Sequence, residues 1–206
     1  MNRILRLYMQ GDTIVVALRV YIDARAGDSK IAREMIADGI RLIESHSPYQ
    51  VCGKSTALKV ELTMADRFAL DCVNVRVYDK TPIVRRMYDP RVNVSRAYFG
   101  AKWIGPFKLS RFLMRFPDVF INIAGRDITQ PLGYAQTCSV VLHEFGHVLG
   151  FADKYRYRGK VCGKRSEDVA DDDIMYRTGA CQHLMEYHIL KLRGCAQKGR
   201  LPVIRV

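Results

Sequence analysis

The sequence predicts an α+β fold in a single domain. Segments of alternating or β-branched residues flank a strongly amphipathic helical pattern, and a second helical pattern follows the last of these segments. The 206 residues suffice for a sizeable hydrophobic core, and neither repeats nor a low-complexity linker divides them. Residues 154–173 are almost entirely polar, which predicts a loop-rich C-terminal lobe.

The predicted elements alternate between strands and helices along the chain. Residues 13–23 are rich in Val and Ile and indicate the first strand. Asp28 or Ser29 can cap the first helix, in which apolar residues recur at helical spacing: Ile31, Met35, Ile36, Ile40 and Ile43. The remaining predictions are strands over 58–64, 73–78, 92–98 and 118–124, and helices over about 137–151 and 180–192.

The composition excludes several classes of protein. Apolar residues make up 49% of the chain and charged residues 26%, which is typical of a globular domain and excludes disorder, collagen and coiled coil. No apolar run approaches the roughly 18 residues that a membrane span needs. The first apolar stretch, 13–22, contains Arg19 and lacks the features of a signal peptide. We therefore expect a chain with no transmembrane segment.

Six cysteines are many for a cytosolic protein of this size. None lies in a C-x-x-C pair, which argues against a zinc ribbon or a thioredoxin-like site. Three disulfides are favoured over six free thiols, so the expected location is secreted, periplasmic or otherwise extracellular, with the cytoplasm as the alternative.

A metal-binding pattern lies in the second predicted helix. His143 and His147 are separated by one helical turn, so both imidazoles can reach a single metal ion, and Glu144 lies beside the first of them. Gly150 is placed to end the helix in a left-handed turn, which would bring Asp153 back towards the metal. The rest of the helix is apolar and expected to be buried, through Val140, Val141, Val148 and Leu149.

The segment HEFGHVLGFAD resembles the signature HExxHxxGxxD of metzincin-clan zinc metallopeptidases, in the aspartate form of snapalysin-like members. Met175, in the segment DIMY, resembles the methionine of the turn that these enzymes carry after their third ligand. The resemblance implies a twisted mixed sheet with a backing helix and an active-site helix, and a small C-terminal lobe with one helix. It implies one catalytic domain over 1–206, with an upper subdomain 1–152 and a C-terminal subdomain 153–206.

The resemblance also implies a zinc-dependent endopeptidase with one catalytic Zn²⁺. The ligands would be His143, His147 and Asp153, and Glu144 would act as general base on a metal-activated water. Gly150 and Met175 would have structural roles. Tyr176 is the favoured donor to the oxyanion, with Tyr155, His183 and His188 as the other candidates. Substrate would add to an edge strand formed by Ile121, Asn122, Ile123, Ala124 and Gly125.

Alternatives remain open for several of these assignments. Glu167 or Glu186 is a less favoured third ligand. Two cysteine pairs, Cys52 with Cys72 and Cys162 with Cys181, are candidate disulfides, whereas a free cysteine would be able to bind zinc and hold the enzyme latent. An inhibitor protein is a further candidate partner.

The net charge of +12 suggests an anionic partner. Half of this excess lies in residues 154–206, which include a segment of alternating basic residues and tyrosines. For a protease, the charge predicts a protein or peptide substrate that is acidic or lies on an anionic surface, and nucleic acid is disfavoured. The alternative function is a basic module that binds nucleic acid or a cell-wall polymer and has a structural or vestigial zinc site.

Overall fold

The structure, a computed structural model, describes residues 5–24, 29–69, 72–79, 96–100, 116–123, 126–151, 155–158, 161–165, 173–175 and 183–200. These residues form a mixed α+β fold that contains a seven-stranded mixed sheet, a two-stranded hairpin and three α-helices. The predicted α+β class is therefore confirmed.

The strands are β1 (Leu5–Gln10), β2 (Thr13–Ala24), β3 (Tyr49–Val51), β4 (Lys54–Ala65), β5 (Val73–Tyr78), β6 (Arg96–Gly100), β7 (Phe116–Asn122), β8 (Tyr155–Arg158) and β9 (Val161–Arg165). The helices are α1 (Ser29–Arg41), α2 (Pro131–Val148) and α3 (Glu186–Gln197), and a short 3-10 helix over Leu42–Glu44 follows α1.

The large sheet has a parallel centre and antiparallel margins. Its order is β3-β4-β2-β5-β7-β6, and β1 pairs with the first half of β2. The strands β4, β2, β5 and β7 are parallel, whereas β1, β3 and β6 are antiparallel to their neighbours. Parallel strands need crossover connections, and α1 lies in the connection between β2 and β4.

The core lies between the sheet and the helices α1, α2 and α3, all of which contribute buried residues to one cluster. Alternate side chains of β2 and β5 are buried on the core face, among them Ile14, Val20 and Val75. The helices α1 and α2 pack closely because Gly39 has no side chain: a Cβ there would lie 2.6 Å from Cβ of Val141. This contact places α2 against α1 as well as against the sheet.

Several element boundaries differ from the sequence prediction. The strand over 73–78 is confirmed, whereas β4 begins at Lys54 rather than 58 and α2 begins at Pro131 rather than 137. The strands β1 and β3 were not predicted, and β8 and β9 form a hairpin in the segment predicted to be loop. The last helix begins at Glu186 rather than near 180.

The cysteines that the structure describes do not form disulfides. Cys52 is exposed and Cys72 is buried, and both are thiols in this structure, which does not contain the predicted pairing between them. Cys138 and Cys195 are thiols as well, and the side chains of Cys162 and Cys181 lie outside the described residues. Within the described ranges, no helix is both long enough and apolar enough to cross a membrane.

Candidate metal centre

The helix α2 ends in a hydrogen-bonded turn just after the metal-binding pattern. Gly150 has φ of +86°, the left-handed conformation that glycine adopts without a steric cost. The amide of Phe151 donates to the carbonyl of Gly146 at 2.9 Å, and the amide of Gly150 donates to that of His147 at 2.8 Å. These two bonds form a Schellman motif, so the predicted helix stop at Gly150 is confirmed.

The side chains of His143 and His147 lie next to each other on α2. Their ring centroids are 5.0 Å apart and their planes are nearly perpendicular, at 87°. Nδ1 of His143 lies 2.5 Å from the carbonyl oxygen of Ile174, and Nδ1 of His147 lies 2.9 Å from that of Phe151. Because a carbonyl oxygen only accepts hydrogen bonds, both rings carry their proton on Nδ1.

This tautomer fits a metal ion. A neutral imidazole that is protonated on Nδ1 has its ring lone pair on Nε2, which is the atom that binds metals in such sites. Metal-bound histidines usually donate their other N–H to a carboxylate or a backbone carbonyl, as His143 and His147 do here. Imidazole nitrogen is a preferred zinc ligand, so the two rings fit a zinc ion.

Glu144 lies in the same helical turn and is buried, with 4% of its surface exposed. His143 is 5% exposed, and His147 is only partly buried. The apolar residues predicted to bury this helix, Val140, Val141, Val148 and Leu149, are indeed buried. A largely buried helix therefore holds both imidazoles and the carboxylate.

The turn that contains Met175 packs directly against α2. Met175 and Ile174 are fully buried, and a Cβ on Gly146 would lie 2.5 Å from Sδ of Met175. The backbone of this turn is fixed by Asp173, whose Oδ1 accepts a hydrogen bond from the amide of Met175 at 2.8 Å. The amide of Ile174 donates to the carbonyl of His183 at 3.3 Å.

The helix α3 contacts both segments that hold the imidazoles. The ring of His188 is 1% exposed and lies 4.2 Å from the ring of Phe151. Tyr187 donates a hydrogen bond to Asp173, and Nζ of Lys191 donates to the carbonyl of Gly150 at 2.5 Å. Burial and the bond to Asp173 both raise the pKa of Tyr187.

Other predicted site residues lie partly or wholly outside the described residues. Asp153 and Tyr176 are outside them, as is the side chain of Tyr155. Among the residues that the structure describes, no group of three or more His, Cys, Asp or Glu side chains could hold a metal ion. The role of Asp153 as the third metal ligand therefore stays a prediction.

The predicted substrate edge requires an outermost strand, and β7 is not outermost. The strand β6 pairs with β7 over Phe116–Phe120, with Arg96 opposite Phe120. Ile121, Asn122 and Ile123 lie beyond this last pair, whereas Ala124 and Gly125 are outside the described residues. The docking segment at 121–125 stays a prediction.

The structure gives other roles to two of the alternative candidates. Oε1 of Glu186 accepts a hydrogen bond from the amide of Cys52 at 3.0 Å, in the turn between β3 and β4. The buried ring of His188 accepts a hydrogen bond from the amide of Met185, at 3.0 Å, and packs on Phe151. His188 is therefore a core histidine in this structure.

Sequence reasoning missed the groups that orient the imidazoles. The carbonyls of Ile174 and Phe151 are backbone atoms, and no residue type marks them. Asp173 did have a signal, because aspartate commonly hydrogen-bonds to the amide two residues on. Gly146 could also have been identified, since an isolated glycine in a helical pattern often has a packing reason, here the close contact with Met175.

Comparisons of this chain with protein-family models, with curated proteins and with solved structures give no match.

Proposed function

We propose that this chain is a zinc-dependent endopeptidase of the metzincin type. One observation carries the proposal: His143 and His147 lie one turn apart on a buried helix, and a backbone carbonyl holds Nδ1 of each ring. This arrangement leaves the Nε2 lone pair of each ring available to a metal ion. Metal-ligating histidines almost always donate their other ring N–H in this way, to a carboxylate, a backbone carbonyl or water.

Different residues of the chain would bind the metal and transfer the proton in peptide hydrolysis. His143 and His147, with Asp153 as the proposed third ligand, would hold the ion. A zinc ion in this position supplies Lewis acidity, which polarises the scissile carbonyl and acidifies water to a pKa of about 7. A carboxylate oxygen of Glu144 accepts the proton of the attacking water and returns it to the nitrogen of the leaving amine.

The number of ligands supports catalysis over a structural role. Structural zinc sites are usually closed by four protein ligands, whereas catalytic sites have three and keep one position for water or substrate. The sequence supplies two histidines and one aspartate in a spacing that fits three ligands. The burial of Glu144 beside His143 supports a base held next to the reacting water.

The test compares zinc content and cleavage of a fluorescent casein between the wild-type chain and Glu144→Gln. We expect about one zinc per wild-type chain, metal-dependent cleavage, and a variant that keeps zinc but loses cleavage by at least about 100-fold. Glu186→Gln is the matched control, because Glu186 binds the Cys52 amide, and it should keep both properties. Cleavage by the metal-free wild-type chain, or by Glu144→Gln at the wild-type rate, would refute the proposal.

The net charge of +12 supports a substrate that is acidic or bound to an anionic surface. The same charge is the observation that favours the second candidate, a polyanion-binding module. Titration with an anionic polymer separates the two functions. Tight binding that weakens steeply with salt, in a zinc-loaded chain that cleaves no peptide bond, would favour the module.

A further inference from the structure

The helix α3 contacts both of the segments that orient the candidate ligands. We propose that α3 positions the two imidazoles through two separate hydrogen-bond paths: Tyr187 fixes His143 through Asp173 and the Ile174 backbone, and Lys191 fixes His147 through the Gly150 carbonyl and the adjoining Phe151. The inference rests on the proposed function for its consequence in catalysis. Its structural content is tested without any metal.

The first path runs from Tyr187 to His143. The hydroxyl of Tyr187 donates to Oδ2 of Asp173, while Oδ1 of Asp173 accepts the amide of Met175 at 2.8 Å. Ile174 lies between these two residues, and its carbonyl holds Nδ1 of His143 at 2.5 Å. Asp173 is 1% exposed, and a buried carboxylate is stable only where donors satisfy it, so its donors determine the position of the turn.

The second path runs from Lys191 to His147. Nζ of Lys191 donates to the carbonyl of Gly150 and lies 5.7 Å from the centre of the Phe151 ring. The carbonyl of Phe151 in turn holds Nδ1 of His147 at 2.9 Å. A cation at the C-terminal end of a helix also interacts favourably with the last carbonyls and with the helix dipole. Lys191 therefore fixes the segment that leaves α2.

The two paths start from the same face of α3. Tyr187 and Lys191 are four residues apart, so their side chains emerge one turn from each other. Each of them contacts a different segment, and each segment holds a different imidazole. Loss of one side chain should therefore disturb one imidazole and leave the other in place. A residue with a merely structural role would lower stability without this selectivity.

The test uses imidazole ¹⁵N NMR of the full, metal-free chain above pH 8, where the tautomer of each ring is read directly. We expect both wild-type rings to be protonated on Nδ1. Tyr187→Phe should convert His143 to a tautomer mixture and leave His147 unchanged, and Lys191→Met should do the converse. Lys191→Arg keeps a cationic donor and should restore the wild-type signals of His147.

Tyr134→Phe is the matched control for Tyr187→Phe. The hydroxyl of Tyr134 also donates to an aspartate, Asp38, at 2.7 Å, but this contact joins α2 to α1. It should therefore change neither tautomer. We expect the two α3 variants to bind zinc roughly threefold to tenfold more weakly than wild type, below the 10- to 100-fold typical of a direct ligand partner.

Two results would overturn the inference: unchanged tautomers in both α3 variants, or an equal disturbance of both rings by either one. A wild-type chain in which both rings are protonated on Nδ1, but which neither binds zinc nor cleaves peptide, would refute the proposed function instead. In that case the same spectra still decide whether α3 positions the rings.

Discussion

Gly146 and Met175 are in such close contact that no side chain fits between them. A Cβ on Gly146 would lie 2.5 Å from Sδ of Met175 and 3.3 Å from Cδ1 of Ile174, and both of these residues are fully buried. Gly146 immediately precedes His147, and Ile174 supplies the carbonyl that holds His143. The packing of this turn on α2 is therefore part of what positions the candidate ligands.

Gly146→Ala should destabilise the fold and weaken zinc binding, because the new methyl group displaces Met175 and the adjoining carbonyl. Gly194→Ala, in α3, is the matched control, since nothing lies within 4 Å of a Cβ there. Both changes gain helix propensity of about 1 kcal/mol. We expect the free energies of unfolding of the two variants, measured in urea, to differ by about 1–3 kcal/mol in favour of Gly194→Ala. Equal stabilities would contradict the close contact.

Gly150→Ala should destabilise the C-terminal end of α2. Its φ of +86° costs a residue with a Cβ about 1–2 kcal/mol. Gly150→Asn should cost less, because asparagine tolerates the left-handed conformation better than alanine does. Thermal and urea unfolding of the two variants would check this order, and a Gly150→Ala variant as stable as wild type would contradict the left-handed conformation at position 150.

Much of the fold was predictable because the local patterns agree with the tertiary contacts. The strand Val73–Tyr78 buries Val73, Val75 and Val77 in the core, as its alternating pattern indicated, although Asn74 is buried as well. Gly150 stops α2 as its position indicated. The β1–β2 hairpin was missed although Gly11 and Asp12 form its two-residue turn, which is a recognised hairpin signal. The helix α2 begins earlier than predicted, at Pro131, because proline is favoured at the first position of a helix.

The candidate site was predictable only as far as its pattern is local. Residues one turn apart on a helix share a face in any fold, so the expected adjacency of His143 and His147 is confirmed, whereas their role as metal ligands stays a prediction. The contacts of Ile174 with His143 and of Lys191 with Gly150 join segments that are more than 30 residues apart. Contacts over such separations depend on how the helices pack, and no periodicity in the sequence encodes them.

Asp153→Ala should weaken zinc binding by at least about 10-fold if Asp153 is the third ligand, since each ligand contributes directly to the affinity. Competition with a chromophoric chelator measures the affinity. Asp66→Ala, a change at an exposed position outside the proposed centre, serves as the control and should leave the affinity unchanged. An unchanged affinity in Asp153→Ala would remove Asp153 from the ligand set.

Stability should fall with rising pH between about 9 and 11. Burial between α1 and α2 is the main cause that raises the pKa of the Cys138 thiol, from 9.0 to about 11. The folded state therefore keeps this proton in a pH range where the unfolded state has lost it. Deprotonation of the unfolded chain then costs stability of up to about 2–3 kcal/mol by pH 11.

The free energy of unfolding of Cys138→Ala, measured in urea, should fall less over this pH range than that of the wild-type chain. Tyr49, whose pKa burial raises to about 12, contributes equally to both proteins at higher pH. Parallel curves for the two proteins between pH 9 and 11 would contradict a buried, protonated thiol.

Anomalous diffraction at the zinc edge, from crystals of the zinc-loaded chain, tests the proposed metal centre most directly. We predict one strong peak about 2.1 Å from Nε2 of both His143 and His147. Density that places the metal elsewhere, or a zinc-loaded crystal with no peak at these two nitrogens, would contradict it.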